Sequence, residues 1–142
     1  MKTPKYLAKV VQRYLDMTID LLKKKRLNFK NVKLNEVPKK SGVYAIFDKN
    51  DIIYVGRTKN LQRRLIKEHR RGKVEQSQFR RALMNNYGFS DEEQLNRYID
   101  KCSFSFVEMD KLIEMVRLEH FVTAILKPKL NVELKTDKNK SV

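Results

Sequence analysis

The chain has 142 residues and a net charge of +15 at pH 7, from 32 Lys and Arg against 17 Asp and Glu. This length fits one domain around a single core, and the one cysteine excludes an internal disulfide. The sequence offers no zinc-ligand spacing of Cys and His, and no apolar run of the roughly 20 residues that a membrane span needs. The charge excess indicates a polyanionic partner. Nucleic acid is the first candidate, although a ribosomal or chromatin-like scaffold would carry a similar charge.

The first predicted element is an amphipathic helix over residues 5–26. Apolar residues recur there at helical spacing, and the helix ends in four consecutive basic residues. We expect its apolar stripe to pack against the rest of the domain, with a linker following to about Pro38.

A hairpin and a helix are predicted next. Residues 42–48 and 52–55 are rich in β-branched and aromatic side chains and are separated by polar turn residues, a pattern typical of two antiparallel strands. Thr58 or Asn60 can cap a helix that runs to Arg71.

The remaining elements complete an α+β domain with a small, mainly antiparallel three-stranded sheet flanked by helices. In chain order we expect a helix over residues 78–87, a capping box at residues 90–93 opening a helix to about residue 98, a strand over residues 102–107, and a helix over residues 111–126 capped by Asp110.

Glu119 stands out because apolar residues lie three, four or seven positions from it on the last predicted helix. A carboxylate in such a stripe is costly to desolvate unless a cation meets it. An ion pair with an arginine and a bound metal ion would each satisfy this requirement. His120 points about 100° away and is not expected to be a co-ligand.

Two tyrosines and a basic run form the second group of candidates. Tyr44 and Tyr54 lie in the middle of the two hairpin strands, where they either pack in the core or line a site beside a phosphate. The basic run that follows is either a solvated surface or a set of phosphate contacts. Its members are Arg57, Lys59, Arg63, Arg64, Lys67, Arg70, Arg71 and Lys73.

These residues together resemble the signature of the GIY-YIG endonuclease family, over residues 41–132. Four motifs occur in the family's order, and their combination is far more specific than any one of them. They are Gly42-Val43-Tyr44, then Tyr54-Val55-Gly56-Arg57, then Asn60-Leu61-Gln62-Arg63-Arg64-Leu65, and finally Leu118-Glu119 followed by Leu126-Lys127-Pro128-Lys129-Leu130-Asn131-Val132.

The resemblance implies an endonuclease that hydrolyses DNA phosphodiester bonds with one Mg²⁺ (or Mn²⁺) ion. By this resemblance the attacking water is activated near Tyr44 or Tyr54, Arg64 holds the scissile phosphate, and Glu119 holds the metal. Arg57 matches a supporting basic position, and Asn131 would support the site. We expect further nucleic-acid contacts from Lys59, Arg63, Lys67, Arg71, Arg80 and Arg81.

One position departs from the family pattern. Many members carry His or Tyr one helical turn after the motif arginine, where this chain has Glu68, with His69 next to it. Either His69 fills that role after a local shift in the helix, or it is a surface histidine. The helical stretch over residues 77–98 is longer than the family minimum, and we expect it to influence substrate choice through Arg80, Arg81 and Arg97.

The chain is thus expected to hold an N-terminal helix and linker (residues 1–40), a GIY-YIG nuclease-like domain (residues 41–132) and a disordered basic tail (residues 133–142). We expect a cytoplasmic enzyme with DNA as partner, no membrane partner and no small-molecule cofactor; a homodimer is compatible with these features. The alternatives are a catalytically inactive, nuclease-like module that only binds nucleic acid, and an RNA-binding basic protein.

Overall fold

The structure, a computed structural model, describes residues 3–131. Within that range, none of the helices combines the length and apolarity that crossing a membrane requires. The elements are α1 (Pro4–Lys23), β1 (Leu27–Asn28), β2 (Gly42–Asp48), β3 (Asp51–Thr58), a π helix (Arg63–His69), α2 (Gln78–Tyr87), α3 (Glu92–Asp100), β4 (Ser103–Glu108) and α4 (Leu112–Leu126), with short 3₁₀ turns at Leu34–Glu36 and Val74–Gln76.

The strands form one antiparallel sheet in the order β1-β4-β2-β3. The α+β class and the hairpin are confirmed, but the sheet has four strands among the described residues, where three were expected. The additional strand, β1, pairs only Leu27 and Asn28 with β4. Two residues are too few to show the alternation that reveals a strand in sequence, so the pattern predicts a linker here.

Alternating residues of β2 pack on opposite faces of the sheet, and both faces are covered. Val43, Ala45 and Phe47 join a cluster with α1 and α4, while Tyr44 and Ile46 join a second cluster with α2 and α3. This explains why β2 reads as a continuous apolar run instead of an alternating one. Tyr44 and Tyr54, the two candidate tyrosines, lie on the second face.

The predicted helices exist, but several of their ends differ. Helix α1 packs through Tyr14, Thr18 and Leu21 as expected, and α2 has the predicted bounds. Asp91, not Ser90, caps α3 through the backbone N–H of Gln94. Residue 111, not Asp110, is the N-cap of α4, and it makes no side-chain capping bond. Neighbouring polar residues compete for a cap, so pattern alone fixes it only to within a residue or two.

The edge of β3 is covered by the segment after α4. The backbone N–H of Leu130 donates to the carbonyl oxygen of Ile53, and the amide of Asn131 forms two hydrogen bonds with the backbone of Val55. Asn131 therefore continues the sheet with its side chain. The predicted disordered tail lies outside the described residues.

Replacing Asn131 with Ala should lower the free energy of unfolding by about 1–3 kcal/mol, because two buried hydrogen bonds are lost together. The measurement is urea unfolding, with Asn85→Ala on the exposed surface of α2 as the matched control. The edge-covering role of Asn131 is wrong if the two variants unfold alike.

Candidate active site

Tyr44 and Tyr54 lie on the same face of the hairpin. In the β2–β3 pairing Tyr44 stands opposite Gly56 and Tyr54 stands opposite Ile46, which brings the two ring centroids to 6.3 Å. Both side chains are almost completely buried. The two phenols that the sequence singled out are therefore neighbours at the floor of one site.

Gly56 is required by the position of the Tyr44 ring. A Cβ atom at residue 56 would lie 2.4 Å from the Tyr44 hydroxyl oxygen and 2.6 Å from the carbon that bears it. Any side chain there would displace the phenol. The glycine of the Tyr54-Val55-Gly56 motif thus lets the Tyr44 ring lie against the β3 backbone.

His69 is buried against both tyrosines. Its Nε2 atom lies 2.6 Å from the Tyr44 hydroxyl oxygen, and its Nδ1 atom lies 2.7 Å from the hydroxyl oxygen of Ser77. Ser77 is the N-cap of α2, where its hydroxyl also accepts the backbone N–H of Arg80. Of the two alternatives left open by the sequence, the structure therefore has His69 inside the site and not on the surface.

The π helix explains how His69 reaches this position. Asn60 caps the helical stretch that contains it, through the backbone N–H of Arg63. In a π helix the backbone hydrogen bonds span five residues, one more than in an α-helix, so each turn is wider. His69, five residues after Arg64, then turns into the core. Glu68 instead forms an ion pair with Arg64, whose Nε lies 2.8 Å from the Glu68 carboxylate.

Burial sets the protonation of this pair. Desolvation lowers the pKa of His69 well below its usual value, and the positive charges of Arg64 and Arg80 act in the same direction. Desolvation and the neighbouring Tyr54 raise the pKa of Tyr44 well above its usual value, while Arg64 opposes this shift. At neutral pH the contact is thus a hydrogen bond between an uncharged phenol and an uncharged imidazole.

A cleft of about 410 Å³ opens beside the tyrosines. It combines cations with carboxylates, and Arg57 forms an ion pair with Glu119 at its wall. Its lining residues are Tyr44, Tyr54, Gly56, Arg57, Arg64, Glu75, Gln76, Gln78, Arg81 and Glu119.

Glu119 satisfies the requirement for a cation through Arg57, the first alternative that the sequence allowed. Its carboxylate is 13% exposed and borders the cleft, so a metal ion can still reach it. Residues 3–131 contain no cluster of three or more His, Cys, Asp or Glu that could hold a metal. A single carboxylate such as that of Glu119 suits Mg²⁺, because Mg²⁺ keeps several waters and binds proteins through one or two carboxylates.

Arg80 was expected to contact nucleic acid, and that prediction is wrong. Its side chain is only 1% exposed, and its guanidinium donates to the carbonyl oxygens of His69 and Arg70. A buried cation needs such acceptors, and the end of the π helix supplies them. The sequence shows only a basic residue on a helix, which looks the same whether it is solvated or buried.

The other predicted contact residues lie in different surroundings. Arg64 and Arg81 line the cleft, whereas Lys59, Arg63 and Lys67 are exposed around the π helix. Arg71 forms an ion pair with Asp100. Arg97 is exposed on α3 and forms an ion pair with Glu93. Asn131 binds the edge of β3 and does not border the cleft. Sequence reasoning missed Ser77 and Gln78, whose only signal was the serine cap before a predicted helix.

The buried His69 should make stability depend on pH. The unfolded chain takes up a proton on this residue below pH 6.5, but the folded protein does not, because the pKa of His69 is lowered. Stability should therefore be intact above pH 6.5 and fall by up to about 1.4 kcal/mol per pH unit below it. Urea unfolding between pH 7.5 and 5 should show a flatter profile for His69→Gln.

His120, the other histidine of the chain, is exposed and provides the control. His120→Gln should keep the wild-type profile. If His69→Gln also keeps it, His69 is not held neutral in the folded protein.

Comparison with known proteins supports the sequence motifs. A family model described as the GIY-YIG catalytic domain matches residues 40–123. The UvrABC system protein C of Rickettsia bellii (strain RML369-C) is 32% identical over 110 residues, and that of Rickettsia felis (strain ATCC VR-1525 / URRWXCal2) is 31% identical over 110 residues. Each match covers 75% of this chain but 14% of the relative, so the chain spans about a seventh of their length.

Among solved structures, the GIY-YIG N-terminal endonuclease domain of UvrC from Thermotoga maritima, bound to magnesium as its catalytic divalent cation, is similar with 21% identity and a TM-score of 0.45. That match covers 72% of this chain and 99% of that chain. The family model alone spans more than half of the sequence and contains both tyrosines, Arg64 and Glu119. The chain therefore belongs to the GIY-YIG catalytic domain family, the nuclease family that its motifs resemble.

Proposed function

We propose that this protein is a divalent-metal-dependent endonuclease that hydrolyses phosphodiester bonds in DNA. The observation that carries the proposal is the content of one cleft: two carboxylates, three arginines and a tyrosine hydrogen-bonded to a neutral histidine. Phosphodiester hydrolysis needs a deprotonated nucleophile and positive charge where the phosphorane forms, and these groups can supply both. The +15 charge suits a polyanionic substrate.

Glu119 would hold the metal ion, in line with its position at the cleft and its access to solvent. A bound Mg²⁺ or Mn²⁺ would supply positive charge beside the phosphate. Arg64 would hold the phosphate itself. Its guanidinium already lies at the cleft and close enough to Tyr44 to affect the pKa of the phenol.

Tyr44 and His69 would move the proton of the attacking water. Tyr44 would accept that proton while its own phenolic proton passes to Nε2 of His69, 2.6 Å away. The imidazole then carries one proton on each ring nitrogen, and its Nδ1–H donates to the hydroxyl oxygen of Ser77. An incoming phosphate would pair with Arg64 and so reduce the positive charge that keeps His69 neutral.

Tyr54 is the second candidate for the same role, and one contact of its hydroxyl is with Gln78. The hydroxyl donates to the side-chain oxygen of Gln78 at 3.4 Å, which is long for a bond between two oxygens. The amide oxygen of Gln78 cannot take up a proton at neutral pH, whereas an imidazole can. We therefore place the proton transfer at Tyr44.

The proposal is limited to the chemistry of the catalytic domain, within proposed boundaries of residues 41–132. The curated relatives are named as components of the UvrABC system, but this chain matches only about a seventh of each. A cytoplasmic location and a DNA substrate are parts of the proposal. The alternative remains a module with the same fold that binds nucleic acid without cutting it.

The test is incubation with supercoiled plasmid DNA, with and without Mg²⁺ or Mn²⁺. We expect metal-dependent nicking or linearisation. Glu119→Gln should slow it at least about 100-fold, because charge stabilisation of the transition state is worth several kcal/mol. Glu93→Gln, at an exposed glutamate of α3, removes the same charge away from the cleft and should cut like the wild type.

Binding must be measured alongside cleavage, by gel shift on the same DNA without metal. Retained binding with lost cleavage in Glu119→Gln supports the assigned role. Binding without cleavage by the wild-type protein, on plasmid and on branched and single-stranded DNA, would favour the binding module. Equal cleavage by Glu119→Gln and the wild type would remove Glu119 from the site.

A further inference from the structure

A second cavity of about 310 Å³ adjoins the catalytic cleft. Arg57 and Arg64 line both spaces, so these two arginines form a common wall. The full lining of the second cavity is Arg57, Thr58, Lys59, Arg63, Arg64, Leu112 and Met115.

The two cavities differ in charge. Glu75 and Glu119 contribute carboxylates to the catalytic cleft, whereas the lining of the second cavity contains four cations and no acidic residue. The carboxylates that pair with these cations stand outside the cavity: Glu68 lies beside Arg63 and Arg64, and Glu119 beside Arg57. The side chains that line the cavity itself are therefore all cationic or uncharged, which suits an anion.

The floor of the second cavity is apolar. It consists of Leu112, which is 54% exposed at the start of α4, and Met115, which is buried. An exposed leucine is unexceptional on its own, but here it lines the same cavity as four cations. Cations around an apolar floor match a phosphate attached to a deoxyribose.

We propose that this cavity binds the phosphodiester next to the scissile one on the same DNA strand. The inference rests on the proposed endonuclease function, because it takes the catalytic cleft as the site of the scissile phosphate. Two neighbouring phosphates then lie on either side of the arginine wall, and the sugar between them lies against Leu112. Lys59 and Arg63 serve the second phosphate alone, since they line only the second cavity.

The test combines a double variant with a neutralised phosphate. Lys59→Ala/Arg63→Ala removes the two cations that line only this cavity, and Lys5→Ala/Lys9→Ala removes two exposed charges from α1 as a control. The substrate is an oligonucleotide around a cleavage position mapped on the plasmid. Single methylphosphonates replace each phosphate beside the cut in turn.

For the wild type, methylphosphonate at one adjacent position should lower kcat/KM roughly tenfold or more, as expected for lost hydrogen bonds to a charged group. On unmodified DNA, Lys59→Ala/Arg63→Ala should lower kcat/KM by about the same factor. The methylphosphonate should then lower the kcat/KM of this variant little further. The control variant should respond to the methylphosphonate like the wild type. The proposal is overturned if the methylphosphonate lowers kcat/KM of Lys59→Ala/Arg63→Ala by the same factor as that of the wild type. It is also overturned if Lys5→Ala/Lys9→Ala loses as much activity as Lys59→Ala/Arg63→Ala.

A binding experiment decides the proposal even if the wild type cuts none of the DNAs. Metal-free NMR titrations would compare the dinucleotide TpT with pTpT and TpTp, which carry a second phosphate. Wild type should bind one of the two-phosphate ligands at least several-fold more tightly than TpT, and Lys59→Ala/Arg63→Ala should abolish that preference. Inorganic phosphate alone should bind more weakly. No preference in the wild type would contradict the proposal.

Discussion

The hydrogen bond between Tyr44 and His69 is the contact on which the rest of the site depends. It joins β2 to the π helix, and Ser77 extends it to the start of α2. The Tyr44 ring can make this bond only because Gly56 leaves room for it on β3. Four parts of the chain that are separate in sequence are thereby fixed around one pair of side chains.

A buried arginine also contacts the end of the π helix behind this pair. The side chain of Arg80 is almost completely buried, and its Nη1 donates to the carbonyl oxygens of His69 and Arg70. Arg80 in turn adds positive charge that helps to keep His69 neutral. The π helix thus contacts Arg80 through its last carbonyl oxygens and Tyr44 through the side chain of His69.

The sequence predicted the hairpin, the α+β class and the tyrosine pair, because strand patterns and glycine positions are local features. It did not predict β1, whose two residues pair with β4 across more than 70 residues of chain. Nor could pattern show that Arg80 is buried while Arg81, its neighbour, lines the cleft. The position of His69 was left open because an α-helical repeat places Glu68 below Arg64, and only the wider π turn brings residue 69 into the core. These differences arise from tertiary packing, which local patterns do not encode.

The central claim is that His69 is poised to accept the proton of Tyr44, and the protonation of its imidazole tests this most directly. Nitrogen NMR of the two histidine rings at pH 7 needs neither metal nor a known DNA target. We predict a neutral His69 with the proton on Nδ1 and an unprotonated Nε2 that accepts the Tyr44 hydroxyl. A proton on Nε2 would contradict the claim, because His69 could then take nothing from Tyr44.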